Sequence, residues 1–242
     1  MCGRFTQNIS ISEIISKYQS PQIGKIVKDE SLVEIAANEN FNLAPSERAI
    51  VIKGAKTEVS YLGFETFGAN FTFGTPARTK LIINARSETA NEKASFSKAL
   101  RNRRIAIPIN GYFEWQTSNG KKIPFFIRLD SNDISLLAGL EVPDRTTGLL
   151  SFVILTRDAN ETISGIHDRM PCFVPQDLLG EWINGEIDSK GESDKLLSEI
   201  STYTLASKPT FFEVSKAVAS PSFKGAKAIE PLTAEKISAE VA

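Results

Sequence analysis

Short blocks in which hydrophobic and polar residues alternate recur along the chain, and most of these blocks predict β-strands. The pair Asn119-Gly120 lies between two such blocks and predicts a two-residue hairpin turn. It would join a strand at 112–116 to a strand at 123–129. Further strands are predicted at 58–64, 69–73, 81–83, 136–140, 152–156 and 211–214.

Helices are fewer than strands in this pattern. Ser10 precedes Glu13 by three residues, which is capping-box spacing ahead of a run with helical periodicity. Helices are predicted after Ser10, in two pieces between Ser87 and Arg104, at 177–184 before Gly185, and at 193–200. Because hairpins and strands dominate, we expect an α+β fold with a mixed or barrel-like β-sheet core flanked by short helices.

The chain shows no internal repeat and no Gly/Ser-rich linker, so we expect a single domain over residues 1–224. Residues 225–242 contain no aromatic side chain and predict a peripheral tail. The length of 242 residues is sufficient for a sizeable core, and 41% hydrophobic with 24% charged residues is ordinary for a globular protein.

The formal net charge of −1 argues against general electrostatic attraction to nucleic acid, so any phosphate binding must rest on a local patch. The N-terminus lacks the apolar segment of a secretory signal, and no apolar run is long enough to span a membrane. Two cysteines and one histidine supply few ligands for a transition metal. We therefore expect a cytoplasmic protein without a metal or cofactor.

Cys2 is the first candidate for chemistry, because removal of Met1 leaves one residue that carries both a thiol and an α-amine. An α-amine has a pKa of about 8, far below that of lysine, so a useful fraction is free near neutral pH. The free amine attacks an aldehyde to give an imine, and the neighbouring thiol can then close a thiazolidine ring. The alternative is that Cys2 is a small buried residue at the start of a strand.

Glu114 and His167 are candidates for proton transfer. Glu114 lies between large aromatic residues on a predicted strand, and burial there would raise its pKa. Strand alternation could equally direct it to solvent. His167 is the single histidine of the chain and lies in a polar loop, where it is either a proton shuttle or a structural residue.

Asn84 and Arg86 follow an apolar strand and precede a predicted helix. Alternation along a strand places both side chains on the same side, Asn84 as a polar clamp and Arg86 as a fork that binds phosphate. The alternative is a helix cap with solvated charges. Arg101, Arg103 and Arg104 form a basic run, which we interpret as a solvated helix face.

Several segments in chain order resemble the SRAP family, the SOS-response-associated peptidases. They are Met-Cys-Gly-Arg-Phe (1–5), Asn42-Leu-Ala-Pro45, Asn84-Ala-Arg-Ser-Glu-Thr89, Pro108 with Gly111-Tyr-Phe-Glu-Trp115, Ile154-Leu-Thr156 and Ile166-His-Asp-Arg-Met-Pro171. The resemblance extends from residue 1 to about residue 185. It implies a protein that senses abasic sites in single-stranded DNA and shields them through a covalent thiazolidine cross-link.

The resemblance also implies roles for particular residues. Cys2 would be the nucleophile, Asn84 would hold the N-terminal residue and the sugar, Glu114 would be the acid/base, and His167 would serve the sugar hydroxyl. Contacts to DNA would come from Arg4, Pro45, Arg86, Trp115, Thr156 and Arg169. Weak strand-nicking lyase activity through the imine and self-processing at Met1 are further implications. We expect a monomer that associates with the bacterial nucleoid when bound to DNA.

The sequence departs from the family pattern at two places. Leu62 stands where the family usually has Trp, and no proline follows it, which changes the expected base-stacking wall. Ala219 follows Val218 where the family usually has Asn.

Two other classes of enzyme remain open at this point. Class II glutamine amidotransferases also begin with a processed Cys-Gly, although Arg4 follows here where they usually carry an apolar residue. A cysteine protease that acts on other proteins would use Cys2 with His167. A binding module with purely structural motifs is the remaining alternative.

Overall fold

A closed ring of five strands forms the centre of the protein. The computed structural model describes residues 2–20, 23–28, 39–54, 59–129, 134–203 and 208–232. The strands are β1 (Arg4–Asn8), β2 (Lys25–Lys28), β3 (Glu39–Leu43), β4 (Arg48–Gly54), β5 (Val59–Phe67), β6 (Ala69–Phe73), β7 (Arg78–Ile82), β8 (Asn84–Arg86), β9 (Arg104–Ile109), β10 (Gly111–Ser118), β11 (Lys121–Arg128), β12 (Ser135–Pro143), β13 (Leu150–Asp158), β14 (Arg169–Pro171) and β15 (Thr210–Glu213).

The ring closes because β13 pairs on both of its sides. The order β13-β12-β9-β4-β5 is antiparallel, and β5 returns to β13 through a parallel pair in which Phe67 opposes Phe152. β2, β8 and β14 add to this sheet, with β8 parallel to β13. The prediction of an α+β fold with a mixed sheet is therefore confirmed. The barrel-like core that was predicted corresponds to this ring of strands.

A second sheet of order β15-β11-β10-β1-β3 carries the N-terminal strand. Its β10–β11 hairpin turns at Asn119 and Gly120, whose φ angles of 49° and 73° are the left-handed values that such a turn requires. Tyr112 opposes Ile127 and Ser118 opposes Lys121, so the predicted pairing is confirmed. β1 lies between β10 and β3, and Cys2, two residues before its start, is buried.

Among the residues that the structure describes, the buried hydrophobic side chains form three clusters. The largest lies beneath the helices and includes Leu62 and Trp182. The second fills the inside of the ring and includes Cys2, Phe67 and Phe152. The third lies on the outer face of the second sheet, around Phe113, Phe126 and Phe212.

The helices are short and lie at the edges of the sheets. They are α1 (Ile11–Tyr18), α2 (Ser87–Ala90), α3 (Ser97–Asn102), α4 (Glu161–Ser164), α5 (Leu179–Asn184) and α6 (Lys190–Thr202). The predicted capping box is confirmed, because the Ser10 side chain accepts from the Glu13 N–H and the Glu13 carboxylate accepts from the Ser10 N–H. No helix in the described part of the chain is both long and apolar enough to cross a membrane.

The interpretation of the basic run as a solvated face is wrong for Arg104, which is buried at the start of β9. Its guanidinium donates to the backbone carbonyls of Leu100 and Arg101, and to those of Trp182 and Gly185. Four carbonyl partners make this arginine a structural link between α3, β9 and α5. Burial lowers its pKa to about 10.

The described end of the chain folds back over β1 and β3. Arg4 donates to the carbonyls of Val218 and Ala219, both at 3.0 Å. Asn42 donates to the carbonyl of Val218 at 3.0 Å. In the segment predicted to be a tail, Ala228 is buried against the third cluster, and residues 233–242 lie outside the described residues. The boundary at 224 stays a prediction.

β6 and β7 form a separate two-stranded sheet, here called the β6–β7 hairpin (Ala69–Ile82). Phe71 opposes Lys80 and Phe73 opposes Arg78. Ile83 separates β7 from β8, so the hairpin leads directly to Asn84.

Candidate functional site

The site begins at Cys2, which β1 carries into the interior. The Cys2 side chain has no exposed surface and packs with the cluster inside the ring. The Nδ2 atom of Asn84 donates to the Cys2 carbonyl at 3.0 Å, so the predicted clamp residue contacts the predicted nucleophile. Burial raises the pKa of the Cys2 thiol, and the nearby Glu114 acts in the same direction. The thiol is therefore protonated at neutral pH.

β10 directs Glu114 to this residue. Its carboxylate is 2% exposed, and burial raises its pKa above the ordinary value. The sequence left open whether Glu114 is buried or directed to solvent, and the structure shows that it is buried. Such a group holds its proton to higher pH than a solvated one, which suits a general acid.

Tyr112 lies two residues before Glu114 and therefore on the same face of β10. It is buried, and its hydroxyl has no hydrogen-bond partner among the described residues. Burial raises its pKa well above the ordinary value, and Cys2 and Glu114 contribute in the same direction. The sequence analysis missed this residue, although its position in Gly111-Tyr-Phe-Glu-Trp115 was the available signal.

His167 lies in the loop between α4 and β14. The N–H of Arg169 donates to Nδ1 at 2.9 Å, and Asp168 Oδ1 lies 2.7 Å from the same nitrogen. Nε2 lies 4.0 Å from Glu114 Oε2. Burial lowers the pKa of His167, Lys122 also lowers it, and Asp168 raises it. Nδ1 thus lies within hydrogen-bonding distance of a backbone donor and of the Asp168 carboxylate, while Nε2 faces Glu114.

β8 places Asn84 and Arg86 beside β13. Arg86 opposes Thr156 in a parallel pair. Arg86 is exposed, whereas Thr156 is buried with its hydroxyl 3.5 Å from the Ala85 carbonyl. Asn84 Oδ1 is buried and has no hydrogen-bond partner within the part of the chain that the structure describes.

Arg4 and Arg169, two predicted phosphate ligands, already have protein partners. Arg169 forms a bidentate pair with Glu88, with both N–O distances at 2.8 Å, and also hydrogen-bonds to Asp158. Arg4 donates to Asn42 Oδ1 at 3.0 Å in addition to the carbonyls near residue 218. A phosphate that bound either guanidinium would have to displace these groups, which are strong partners for arginine.

Pro45 and Trp115 are not part of the group around Cys2. Trp115 lies on the opposite face of β10 from Glu114 and packs against the third cluster. Pro45 is partly exposed in the turn after β3. Leu62, at the position where the family resemblance leads one to expect Trp, is buried in the largest cluster and offers no stacking surface.

The structure thus brings together a thiol, a buried carboxyl group whose pKa is raised, an imidazole and an amide. No three His, Cys, Asp or Glu side chains in the described ranges form a group that could hold a metal ion. The arrangement can supply a nucleophile and move protons to and from a substrate bound beside Cys2.

The fold and this site define a member of the SRAP family. The sequence matches the family described as SOS response associated peptidase over residues 1–221, and the chain belongs to it. Among its relatives, the abasic site processing protein YoqW of Bacillus subtilis is 31% identical over 235 residues, covering 95% of this chain and 99% of that protein. The abasic site processing protein YedK of Escherichia coli is 28% identical, covering 96% and 100%.

A relative that matches over a shorter stretch and two solved structures extend the comparison. The abasic site processing protein HMCES of Xenopus tropicalis is 32% identical over 145 residues, covering 50% of this chain and 43% of that protein. A protein of Bacteroides thetaiotaomicron has a TM-score of 0.71 at 22% identity, covering 96% of this chain and 100% of that one. A phage-related protein of Bordetella bronchiseptica has a TM-score of 0.66 at 21% identity, covering 89% and 95%. These two structures share the fold.

Proposed function

We propose that this protein recognises abasic sites in single-stranded DNA and links to them covalently through Cys2 after Met1 is removed. The observation that carries the proposal is the hydrogen bond from Asn84 to the Cys2 carbonyl, with Glu114 directed to the same residue. The names of the relatives, abasic site processing proteins, agree with this reading.

The first half of the proposed reaction joins the amine to the aldehyde of the ring-opened abasic sugar. The free α-amine of Cys2 adds to the carbonyl carbon and gives a carbinolamine. Glu114, whose pKa is raised by burial, donates a proton to the carbinolamine hydroxyl, which leaves as water. The products are an iminium ion and the Glu114 carboxylate.

The second half closes the ring and restores the acid. The Cys2 thiol gives its proton to the Glu114 carboxylate, and its sulfur attacks the iminium carbon. The bond formed is C–S, the iminium nitrogen becomes a neutral amine, and Glu114 is protonated again. The net reaction is aldehyde plus aminothiol giving thiazolidine and one water.

Asn84 and His167 would support these steps in different ways. Asn84 is a positioning residue, since it holds the Cys2 carbonyl and fixes the direction of the amine. The Nε2–H of His167 would donate to the hydroxyl that the opened sugar exposes, and would assist reversal of the link.

For contacts to DNA, the proposal assigns the exposed Arg86 to a flanking phosphate, with Thr156 beside it. Arg4 and Arg169 would contribute mainly by fixing β1 and β14, because their guanidinium groups are engaged by protein groups. Pro45 and Trp115 stay predicted contacts to the neighbouring nucleotides. Monomeric action, association with the nucleoid, weak lyase activity through the iminium ion and self-removal of Met1 belong to the same proposal.

The test is a denaturing gel of the purified protein with an abasic single-stranded oligonucleotide, after intact-mass measurement has established loss of Met1. We expect a slowly migrating species for the wild type and none for Cys2→Ala. Cys2→Ser keeps the amine and replaces the thiol with a hydroxyl of similar size. Its link should therefore survive the denaturing gel only after reduction with borohydride. A species that is unchanged in Cys2→Ala would contradict the proposal.

The same preparations separate the other enzyme classes. Hydrolysis of glutamine, or of a generic peptide, that is abolished by Cys2→Ser while DNA stays unmodified would indicate an amidohydrolase or a protease instead. An undamaged oligonucleotide of the same sequence is the control for non-specific capture.

A further inference from the structure

The β6–β7 hairpin carries a local positive charge in a chain whose net charge is −1. The segment from Thr66 to Ser87 contains Arg78, Lys80 and Arg86 and no Asp or Glu. Arg78 and Lys80 are exposed. Alternation along β7 gives both of them the same face of the hairpin.

An exposed aromatic ring lies on that face. Phe73 is directly opposite Arg78 in the hairpin register and is 46% exposed. Its ring stacks against the buried Phe71, with ring centroids 6.2 Å apart, and Phe71 packs edge-on against Phe96. Phe73, Pro76, Arg78 and Lys80 line one shallow groove. The ring is therefore held in place before any partner arrives.

The base of the hairpin is anchored to the ring of strands. Asp144 accepts from the backbone N–H and the Nδ2 of Asn70, at 2.7 and 2.9 Å. It also accepts from the N–H groups of Thr146 and Thr147, and these bonds lower its pKa to about 2. Asp144 thus accepts from five donors at the base of the hairpin, the fifth being the Thr147 hydroxyl at 3.2 Å, and these bonds tie the hairpin to the loop after β12.

We infer that the β6–β7 hairpin binds the single-stranded DNA that flanks the lesion, with Phe73 stacking on a base and Arg78 and Lys80 contacting phosphates. The inference rests on the proposed function for the identity of the lesion. Cations interleaved with an exposed, pre-positioned aromatic ring suit a single strand, whose bases offer stacking faces beside a charged backbone. Leu62 is buried and offers no stacking surface, whereas the Phe73 ring is exposed and can stack on a base.

The length of chain between the hairpin and Asn84 sets an upper limit on how far from the lesion the hairpin contacts DNA. Lys80 and Arg78 precede Asn84 by four and six residues. At about 3.3 Å per extended residue they lie up to about 13 and 20 Å along the chain from Asn84. At about 3.4 Å per stacked nucleotide, these lengths correspond to about four to six nucleotides from the lesion.

The experiment measures binding without cross-linking, by fluorescence anisotropy with single-stranded DNA that carries a non-reactive tetrahydrofuran abasic analogue. One probe has eight nucleotides on the 5′ side and two on the 3′ side, and a second probe reverses them. We expect R78A/K80A to weaken binding roughly tenfold on one of these probes and to leave the other unchanged. The slope of log affinity against log salt should fall by about 1.4, since each lost phosphate contact on a single strand removes about 0.7.

Phe73→Leu keeps an apolar side chain but removes the aromatic face. It should weaken binding to the same long-flank probe by roughly tenfold without changing the salt slope. K190A/K195A on α6 is the matched control, because it removes two exposed charges far along the chain. Thermal unfolding midpoints of all variants should agree with the wild type, since the changed side chains are exposed.

Equal affinity and salt slope for the wild type and R78A/K80A on both probes would overturn the inference. So would an equal loss in K190A/K195A. The cross-link of the wild type to a reactive abasic oligonucleotide with two-nucleotide flanks tests the proposed function by itself. Failure of that cross-link with intact hairpin-dependent binding would contradict the proposed function and leave the hairpin assignment standing.

Discussion

Two groups of polar side chains border the hydrophobic cluster inside the ring, and they are satisfied in different ways. In the first group, Lys53 forms ion pairs with Glu65 and, at 2.8 Å, with Glu141. A Cβ atom at Gly63 would lie 2.4 Å from the Lys53 Cε, so glycine makes room for the lysine stem. One ammonium group thus serves two carboxylates across three strands.

The second group surrounds Cys2 and keeps unused hydrogen-bonding capacity. The Tyr112 hydroxyl and Asn84 Oδ1 are buried without hydrogen-bond partners among the residues that the structure describes. Leaving such atoms unpaired is costly, and a fold tolerates the cost where a substrate later supplies the partner. Ion pairs between side chains therefore hold the structural group together, whereas the group around Cys2 keeps a hydroxyl and an amide oxygen available for a substrate.

The largest expected effect on activity comes from a change in the group around Cys2. Glu114→Gln keeps the shape of the side chain but cannot exchange a proton, so the single-turnover rate of cross-linking at pH 7 should fall at least about 100-fold. The unfolding midpoint should not decrease, because a neutral amide is no more costly to bury than the acid. Glu65→Gln is the matched control and should cross-link at the wild-type rate. Equal cross-linking rates for Glu114→Gln and Glu65→Gln would contradict the distinction between the group around Cys2 and the structural group.

The next largest effect, on stability, comes from a change in the structural group around Lys53. Lys53→Met leaves two carboxylates without their cation, so the free energy of unfolding should fall by about 3 kcal/mol in urea titrations. Cross-linking by the folded fraction should be unaffected. Adding Glu65→Gln and Glu141→Gln to Lys53→Met should restore most of the loss, and no recovery in this triple variant would show that ion pairing is not the cause.

The smallest effect tests the electrostatics around the imidazole. Asp168 raises the pKa of both His167 and Glu114, so Asp168→Asn should lower both. Activity that requires protonated Glu114 is lost as pH rises through its pKa, and the alkaline fall of the cross-linking profile should therefore move to lower pH. Because the Asp168 side chain is 84% exposed, the displacement should shrink with added salt. Asp177→Asn, at another exposed position, should leave the profile in place.

Features with local causes could be predicted from the sequence. The β10–β11 hairpin follows from Asn119-Gly120, and α1 follows from the Ser10 and Glu13 capping box. The residues around Cys2 were identified because their motifs resemble a family. Alternation along β10 would also have indicated Tyr112, once Glu114 was assigned to the buried face.

Features with long-range causes could not be read from the pattern. Arg169 finds its bidentate partner Glu88 81 residues away, and Arg104 hydrogen-bonds to Trp182 78 residues away. β7 was predicted as residues 81–83 because its first residues, exposed and polar, show no alternation of hydrophobicity. Spacing along the chain carries no information on contacts of this kind.

The hydrogen bonds of Arg4 have a consequence for the order in which the protein is assembled. Arg4 is synthesised more than 200 residues before its partners Val218 and Ala219. At about 5–20 residues per second, the nascent chain waits at least about ten seconds before β1 can be fixed. During synthesis Cys2 therefore lacks this part of its final surroundings until the segment that contains Val218 and Ala219 has been made.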